Sequence, residues 1–321
     1  MMTKDLIFTD WEERSSNLGL IMTNLDGITT LKLKKLIELQ NRKLDHLEGK
    51  AKALTHNMEV EMSELIKLRD KKDELPTGAI THLDDVFRDF FWKRKRFLNN
   101  KYLEKGNLQE QDAIAILRKY IELTSEKIYL EKNGFWKSNG FTNGTEDVVT
   151  TNFVFDTKCS YDLESFENSE LTNAYKWQVK DYCWRNNKTK GFVAFCLVNN
   201  PLHHLINERE RLYFINGKPN EDDDSWIEIL KQLERNMIFD IPKFIEENPE
   251  YTFVNVDLDF TIPLHLRVKL FPVDLEEKDI ENIKSRVLLA REYLVEKETK
   301  TLSEFNKYND FISDFNNKLT E

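Results

Sequence analysis

The chain is poor in cysteine. Cys159, Cys183 and Cys196 are the only three among 321 residues. They form an odd set without CxxC spacing, which excludes a disulfide framework and a zinc knuckle and fits a reducing compartment. Long hydrophobic runs are also missing. No stretch approaches the roughly 18 apolar residues of a membrane span. The opening "MMTKDLIFTDWEERSSN" lacks the uninterrupted apolar segment of a signal peptide. The expectation is a cytoplasmic protein with no membrane partner, in which the Asn143–Thr145 sequon stays unmodified. GxxxxGK[ST] is absent, which excludes a P-loop motor. The formal net charge is −10, which argues against a uniform coat of non-specific nucleic-acid affinity but not against one local basic cleft. His203 and His204, followed by Glu208, do not form H-E-x-x-H, and Asp222–Asp224 lacks EF-hand spacing, so both read as structural or surface features.

What the sequence does have is apolar mass. Hydrophobic residues make up 40% and aromatics 12%, enough to bury a sizeable core in two domains or in one large domain with insertions. Residues 1–29 are mixed, with "RSSNLGLIMTN" reading as a polar turn before an apolar stretch. From Thr30 to Glu74 helix formers dominate without proline. Leu44, Leu47, Ala51, Leu54, Met58, Leu65 and Leu68 keep nearly three-four spacing, broken near Glu61. This predicts a helical arm or coiled-coil hairpin over 30–75. Helix resumes over 79–130, where "NLQEQDAIAILRKYIEL" is amphipathic with Gln109 and Glu110 in its first turn. The period then changes. "DVVTTNFVFDTKCS" predicts two short strands in a hairpin about "TTN", "SELTNAYKWQVKDYCW" a helix, and "GFVAFCLVNN" a buried strand. That order predicts a compact α/β core over 76–217. A helix and strand extension over 218–300 follows, and 301–321 reads as a polar, loosely packed tail.

One strand of this core carries an unusual pair. Asp156 and Lys158, two apart in "VFDTKCS", share one face of an otherwise apolar strand. Asp147 lies just before the partner strand, so pairing lets Asp147 and Asp156 converge at one end of the hairpin. Two carboxylates, a lysine and a nearby backbone carbonyl make a hard-oxygen site suited to Mg²⁺ or Mn²⁺. The D-x₈-D-x-K spacing alone is equally consistent with a strand salt bridge.

The surroundings add order to it. Gly106 and Glu110 stand at G-x-x-x-E upstream, and Gln178 and Tyr182 stand four apart on one helix face downstream. The series G-x-x-x-E, D, D-x-K, Q-x-x-x-Y resembles the PD-(D/E)XK nuclease superfamily, in the branch holding RecB-like nucleases, lambda-type exonuclease and phage YqaJ-like proteins. Two departures stand out. Asp156 replaces the Glu of many members, and Glu146 replaces the usual proline, placing a further negative charge beside the metal site. "ERSSNLGLIMT" is similar to the family's early Arg…Ser segment. "FVAFCLVNNPLHHLINERER" and "IPLHLRVKLFPVDLEEKDIENIKSRVLLAREYL" are similar to downstream parts of phage-encoded members.

The resemblance implies an α/β fold, a mixed central sheet flanked by helices with a helical arm or hairpin inserted near the N-terminus. Residues 1–29 then belong to the nuclease core, and 218–300 close it. It also implies a Mg²⁺- or Mn²⁺-dependent DNA nuclease, an exonuclease of phage or bacterial recombination or DNA processing. Glu110, Asp147, Asp156 and the Thr157 carbonyl would hold the metal. Lys158 would orient the attacking water and offset phosphate charge, Gln178 would orient Lys158 or the substrate strand, and Tyr182 would brace the cleft. Arg14 and Ser16 would bind a terminal phosphate. With only three cysteines and none upstream of Glu110, the four-cysteine iron–sulfur cluster of some RecB-like relatives is excluded. DNA is the expected partner. For the 30–75 arm three roles stay open: covering the channel, contacting a recombination partner such as a single-strand annealing protein, or joining further copies of the chain.

Local charge agrees with a DNA channel. Val86–Lys105 holds seven Lys or Arg against two acids, and Leu171–Phe192 five against one. Trp92, Trp177 and Trp184 are candidates for base stacking. Rival readings are an endonuclease using the same residues and a DNA-binding or assembly module with a weak site.

Overall fold

The computed structural model describes residues 6–23, 30–70, 74–96, 100–124, 130 and 132–320, the side chains of 30, 124 and 313–320 excepted. In chain order the elements begin with β1 (Glu13–Arg14), α1 (Leu18–Ile21), α2 (Thr30–Leu47), α3 (His56–Asp70), α4 (Thr77–Phe90) and α5 (Lys101–Thr124). Strands β2 (Lys137–Ser138), β3 (Thr142–Gly144), β4 (Val148–Val149) and β5 (Val154–Cys159) follow. Next come α6 (Leu163–Glu167), α7 (Asn173–Arg185), β6 (Lys190–Cys196), α8 (Leu202–Ile215), α9 (Asp224–Met237) and α10 (Ile241–Glu247). Strand β7 (Val268–Asp274) and the long α11 (Glu277–Thr320) complete the order. The chain divides into two compact units, one made of Met1–Arg96, Ser138–Asn143 and Glu277–Glu321, the other of Phe97–Lys137 and Gly144–Glu276.

In the first unit, β1 runs parallel to β3, and the Ser15 hydroxyl donates to the Asn143 carbonyl at 2.8 Å. Helices α2 and α3 bury Leu36, Leu39, Met62 and Leu65 against one another. Both lie within the expected helical span, but the break falls after Leu47, at Gly49 with φ +76°, and Glu61 sits inside α3. Glycine takes that left-handed conformation without the steric penalty other residues carry. Residues 301–320 continue α11 as helix instead of forming a loose tail.

The second unit contains a four-stranded sheet in the order β4-β5-β6-β7. Strands β4 and β5 form the expected antiparallel hairpin, with Val148 opposite Phe155. β5 is parallel to β6, with α7 as the crossover between them, and β7 returns antiparallel to β6. Side-chain alternation divides β5 between two cores. Phe155 packs with Ala113, Ile114 and Leu117 of α5 on one face, while Val154 packs with Val179, Tyr182 and Cys183 of α7 on the other. Gly191 in β6 permits this close helix. A Cβ there would lie 2.6 Å from the methyls of Val154 and Val179, closer than any real contact, which is why the strand interior tolerates a glycine. A third core, around Trp226, Leu230 and Phe244, gathers α8, α9 and α10.

Candidate active site

The α7 face of β5 carries Asp156 and Lys158. Asp156 is 1% exposed, and Lys158 Nζ lies 3.1 Å from its Oδ1 and 2.9 Å from its Oδ2. Lys158 Nζ also donates to Gln178 Oε1 at 3.3 Å and sits 4.9 Å from the centroid of the Tyr175 ring. Gln178 in turn donates through Nε2 to the Tyr182 hydroxyl at 2.7 Å. The i, i+4 spacing of Gln178 and Tyr182 makes that bond. The result is a hydrogen-bonded chain from Tyr182 through Gln178 and Lys158 to Asp156, buried except at Lys158, whose side chain is 25% exposed.

Asp147 joins from the end of β4. Its Oδ2 accepts the Thr157 backbone N–H at 2.6 Å and the Thr157 hydroxyl at 2.8 Å. Because N–H and C=O of one strand residue point to the same side, the Thr157 carbonyl is directed to that β4 edge as well. Glu110 stands on α5, in the helix interior instead of its first turn, since α5 starts at Lys101. Its Oε2 is 2.6 Å from Lys132 Nζ, and its charge acts on Asp156.

The electrostatics describe carboxylates crowded out of water. Burial, then repulsion from Asp156, pushes the Asp147 carboxyl up to about 7. Burial also raises Asp156, against the pull of Lys158 and with a further push from Glu110. For Lys158, burial works toward deprotonation, but Asp156 and Asp147 more than offset it and hold the ammonium above its ordinary value. Asp156 Oδ2 has no hydrogen bond of good geometry despite the nearby ammonium. Two neighbouring acids raised by burial and, for Asp147, further by repulsion from Asp156 carry a cost that a divalent cation would relieve. The donor set is all oxygen, from carboxylates and a backbone carbonyl, and suits Mg²⁺ or Mn²⁺.

Several side chains have environments that the sequence did not reveal. Glu146 does not charge the site. It is buried with its Oε1 3.0 Å from Arg185, whose side chain is 1% exposed and also pairs with Asp181 at 3.1 Å. Thr157 acts through its hydroxyl and amide on Asp147, where only its carbonyl was expected to matter. Lys105 is not a surface cation. It is fully buried and donates to the carbonyls of Ser160, Tyr161 and Val198 at 2.6, 3.1 and 2.9 Å. Lys180 and Trp177 are buried with the lysine over the indole, which removes Trp177 as a stacking surface and Lys180 and Arg185 from the basic tally. Burial pushes the Cys159 thiol up to about 12, which disfavours the thiolate. Arg14 and Ser16 belong to the other unit and are exposed.

Another group, Glu104 with His203 and His204, brings its ligand atoms within 4.8 Å. Each imidazole Nε2 lies 3.1 Å from a Glu104 oxygen. The buried Nδ1 of His204 has no partner. A metal on Nε2 would leave an N–H there without an acceptor, the reverse of the usual second-shell support of a ligating histidine. We read this cluster as a carboxylate held between two imidazoles.

No protein-family model matches the chain, and no curated protein matches it. Among solved structures, the chain is similar to a phage-related exonuclease from Haemophilus somnus 129PT, with 17% identity and a TM-score of 0.53 over 91% of this chain and 96% of that one. It is more distantly similar to an alkaline exonuclease from Laribacter hongkongensis, with 10% identity and a TM-score of 0.44 over 73% of this chain and 88% of that one. Among the described residues no helix is long and apolar enough to cross a membrane. The expected mixed α/β fold is the fold that the chain shares with the phage-related exonuclease.

Proposed function

We propose that the protein is a metal-dependent deoxyribonuclease that degrades DNA from an end, in phage or bacterial recombination or DNA processing. The observation that carries this reading is the grouping of Asp147, Asp156 and Lys158 around β5, with Asp156 buried against the Lys158 ammonium and the charge of Glu110 acting on it. The shared fold with a phage-related exonuclease supports it.

Glu110, Asp147, Asp156 and the Thr157 carbonyl would hold Mg²⁺ or Mn²⁺. Such an ion supplies charge stabilisation for a phosphate and lowers the pKa of a coordinated water. The protein's own groups do the remaining work. Lys158 stays protonated at neutral pH because Asp156 and Asp147 favour its charge, so it serves as a cationic donor to the phosphate and not as a general base. Gln178, fixed by the Tyr182 hydroxyl, restricts where the Lys158 ammonium can point. Thr157 aims the Asp147 carboxylate. Hydrolysis adds water oxygen to phosphorus and releases the bridging oxygen, with no covalent enzyme intermediate.

The test compares linear duplex DNA with a covalently closed circle of the same sequence in Mg²⁺. The proposal expects degradation of the linear form and persistence of the circle. Equal cutting of both would replace the exonuclease with the endonuclease reading, and binding without cutting would replace it with a DNA-binding module.

A further inference from the structure

We propose that the loop 132–137 presents Phe135 and Trp136 as a stacking platform for an unpaired nucleobase next to the candidate active site. This inference rests on the nuclease reading and gives the site a second contact with its substrate.

Phe135 is 76% exposed and Trp136 63%, two adjacent large aromatics turned to water. Scattered exposed apolar residues are ordinary, but an adjacent aromatic pair on a loop bonded to the Asp147 backbone is a recognition feature. The loop is also held in place. Asn133 N–H donates to the Asp147 carbonyl at 2.7 Å, and Asn133 Nδ2 donates to Glu146 Oε2 at 3.0 Å. Phe135 N–H returns to Asn133 Oδ1 at 3.2 Å, closing a local turn. Lys132 bridges to Val148 of β4, and its ammonium meets Glu110. At the far end, Arg185 Nη1 donates to the Lys137 carbonyl at 3.1 Å, and Lys137 Nζ donates to Asn186 Oδ1. The rings are therefore tethered to the backbone of a candidate metal ligand.

Phe135 lies two residues from Asn133, at most roughly 7 Å along the chain, and the local turn shortens that span. Lys132 and Lys137 flank the pair, and Lys137, whose partner Asn186 is neutral, matches a phosphate backbone in sign, while the Lys132 charge is met by Glu110. Stacking tolerates any base, since every base offers a π-face. This suits a site whose other contacts are aimed at phosphate.

The test uses full-length protein and a duplex with short single-stranded ends, without divalent metal. Some duplexes carry 2-aminopurine or an abasic residue in those ends. The proposal expects the wild type to change 2-aminopurine fluorescence on binding. It expects the Phe135→Ala/Trp136→Ala variant to bind roughly ten- to hundredfold more weakly. An abasic residue at the contacted position should weaken the wild type by a similar factor and the variant no further. Phe135→Tyr/Trp136→Phe should restore binding. The abasic arm needs only wild-type protein, so a variant that fails to fold leaves the test intact. If the wild type cleaves DNA with Mg²⁺ but is indifferent to abasic ends, the platform falls and the nuclease reading stands. If the double variant changes only self-association, the platform falls in favour of a protein contact. If the wild type neither binds nor cleaves DNA, both fall.

Discussion

Replacing Asp147 by Asn should stabilise the metal-free protein while removing its activity. The Asp147 carboxyl is raised from 3.8 to about 7, by burial first and by Asp156 second. The sign follows from proton binding. Between pH 3.8 and 7 the folded state keeps the Asp147 proton and the unfolded state has lost it, so stability falls as pH rises through that window. Above pH 7 the penalty is complete. About three pH units at about 1.4 kcal/mol each gives an upper figure of roughly 4 kcal/mol. The Asp147→Asn side chain keeps an oxygen that can accept the Thr157 N–H and hydroxyl but carries no charge, so it escapes most of that cost. Thermal melts in EDTA at pH 8 should show the variant higher by roughly 3–6 °C, using about 1.5 °C per kcal/mol for 321 residues. Near pH 4 the two should converge. Added Mg²⁺ should raise the wild type more than the variant, because binding to the folded state alone adds stability. A variant no more stable than wild type at pH 8 without metal would refute the reasoning.

Other substitutions test neighbouring features. Lys105→Ala takes the ammonium donor from the buried Ser160 and Val198 carbonyls, while Tyr161 keeps Asn200 Nδ2, and should destabilise by about 2–4 kcal/mol in urea titration. Arg185→Met leaves Glu146 and Asp181 without their buried partner and should lower stability by about 3–5 kcal/mol, read the same way. Gln178→Leu breaks the link between Tyr182 and Lys158. Cleavage should fall by roughly tenfold with an unchanged melting temperature, and loss of fold instead would make Gln178 a packing residue. Cys159→Ala should leave cleavage unchanged, and iodoacetamide at pH 8 should not inactivate the wild type through this residue, because its thiol is pushed up to about 12.

Much of the local structure was legible because it is periodic. Alternation places Asp156 and Lys158 together on β5, three-four spacing places Gln178 over Tyr182, and the apolar run of β6 marks a buried strand. What the sequence did not disclose depends on partners distant along the chain. Glu146 reads as a site charge until Arg185 is seen beside it. Lys105 and Lys180 count as surface cations until burial is known, since a formal charge carries no sign of its surroundings. The Thr157 hydroxyl looked incidental because its acceptor, Asp147, comes from the other strand of the hairpin. Phe135 and Trp136 sit in a glycine-containing turn whose exposure no pattern encodes. The break between α2 and α3 was misplaced because apolar spacing continues on both sides of Gly49, and only a left-handed φ marks the turn.

The central claim is that Asp156 and Lys158 are catalytic. Mg²⁺-dependent release of nucleotides from linear duplex DNA should be measured for the wild type, Asp156→Ala and Lys158→Ala at matched purity. Both variants are predicted to fall by at least about a hundredfold, the scale of losing one charge-stabilising group at a reacting centre. Equal activity of all three proteins would contradict the account.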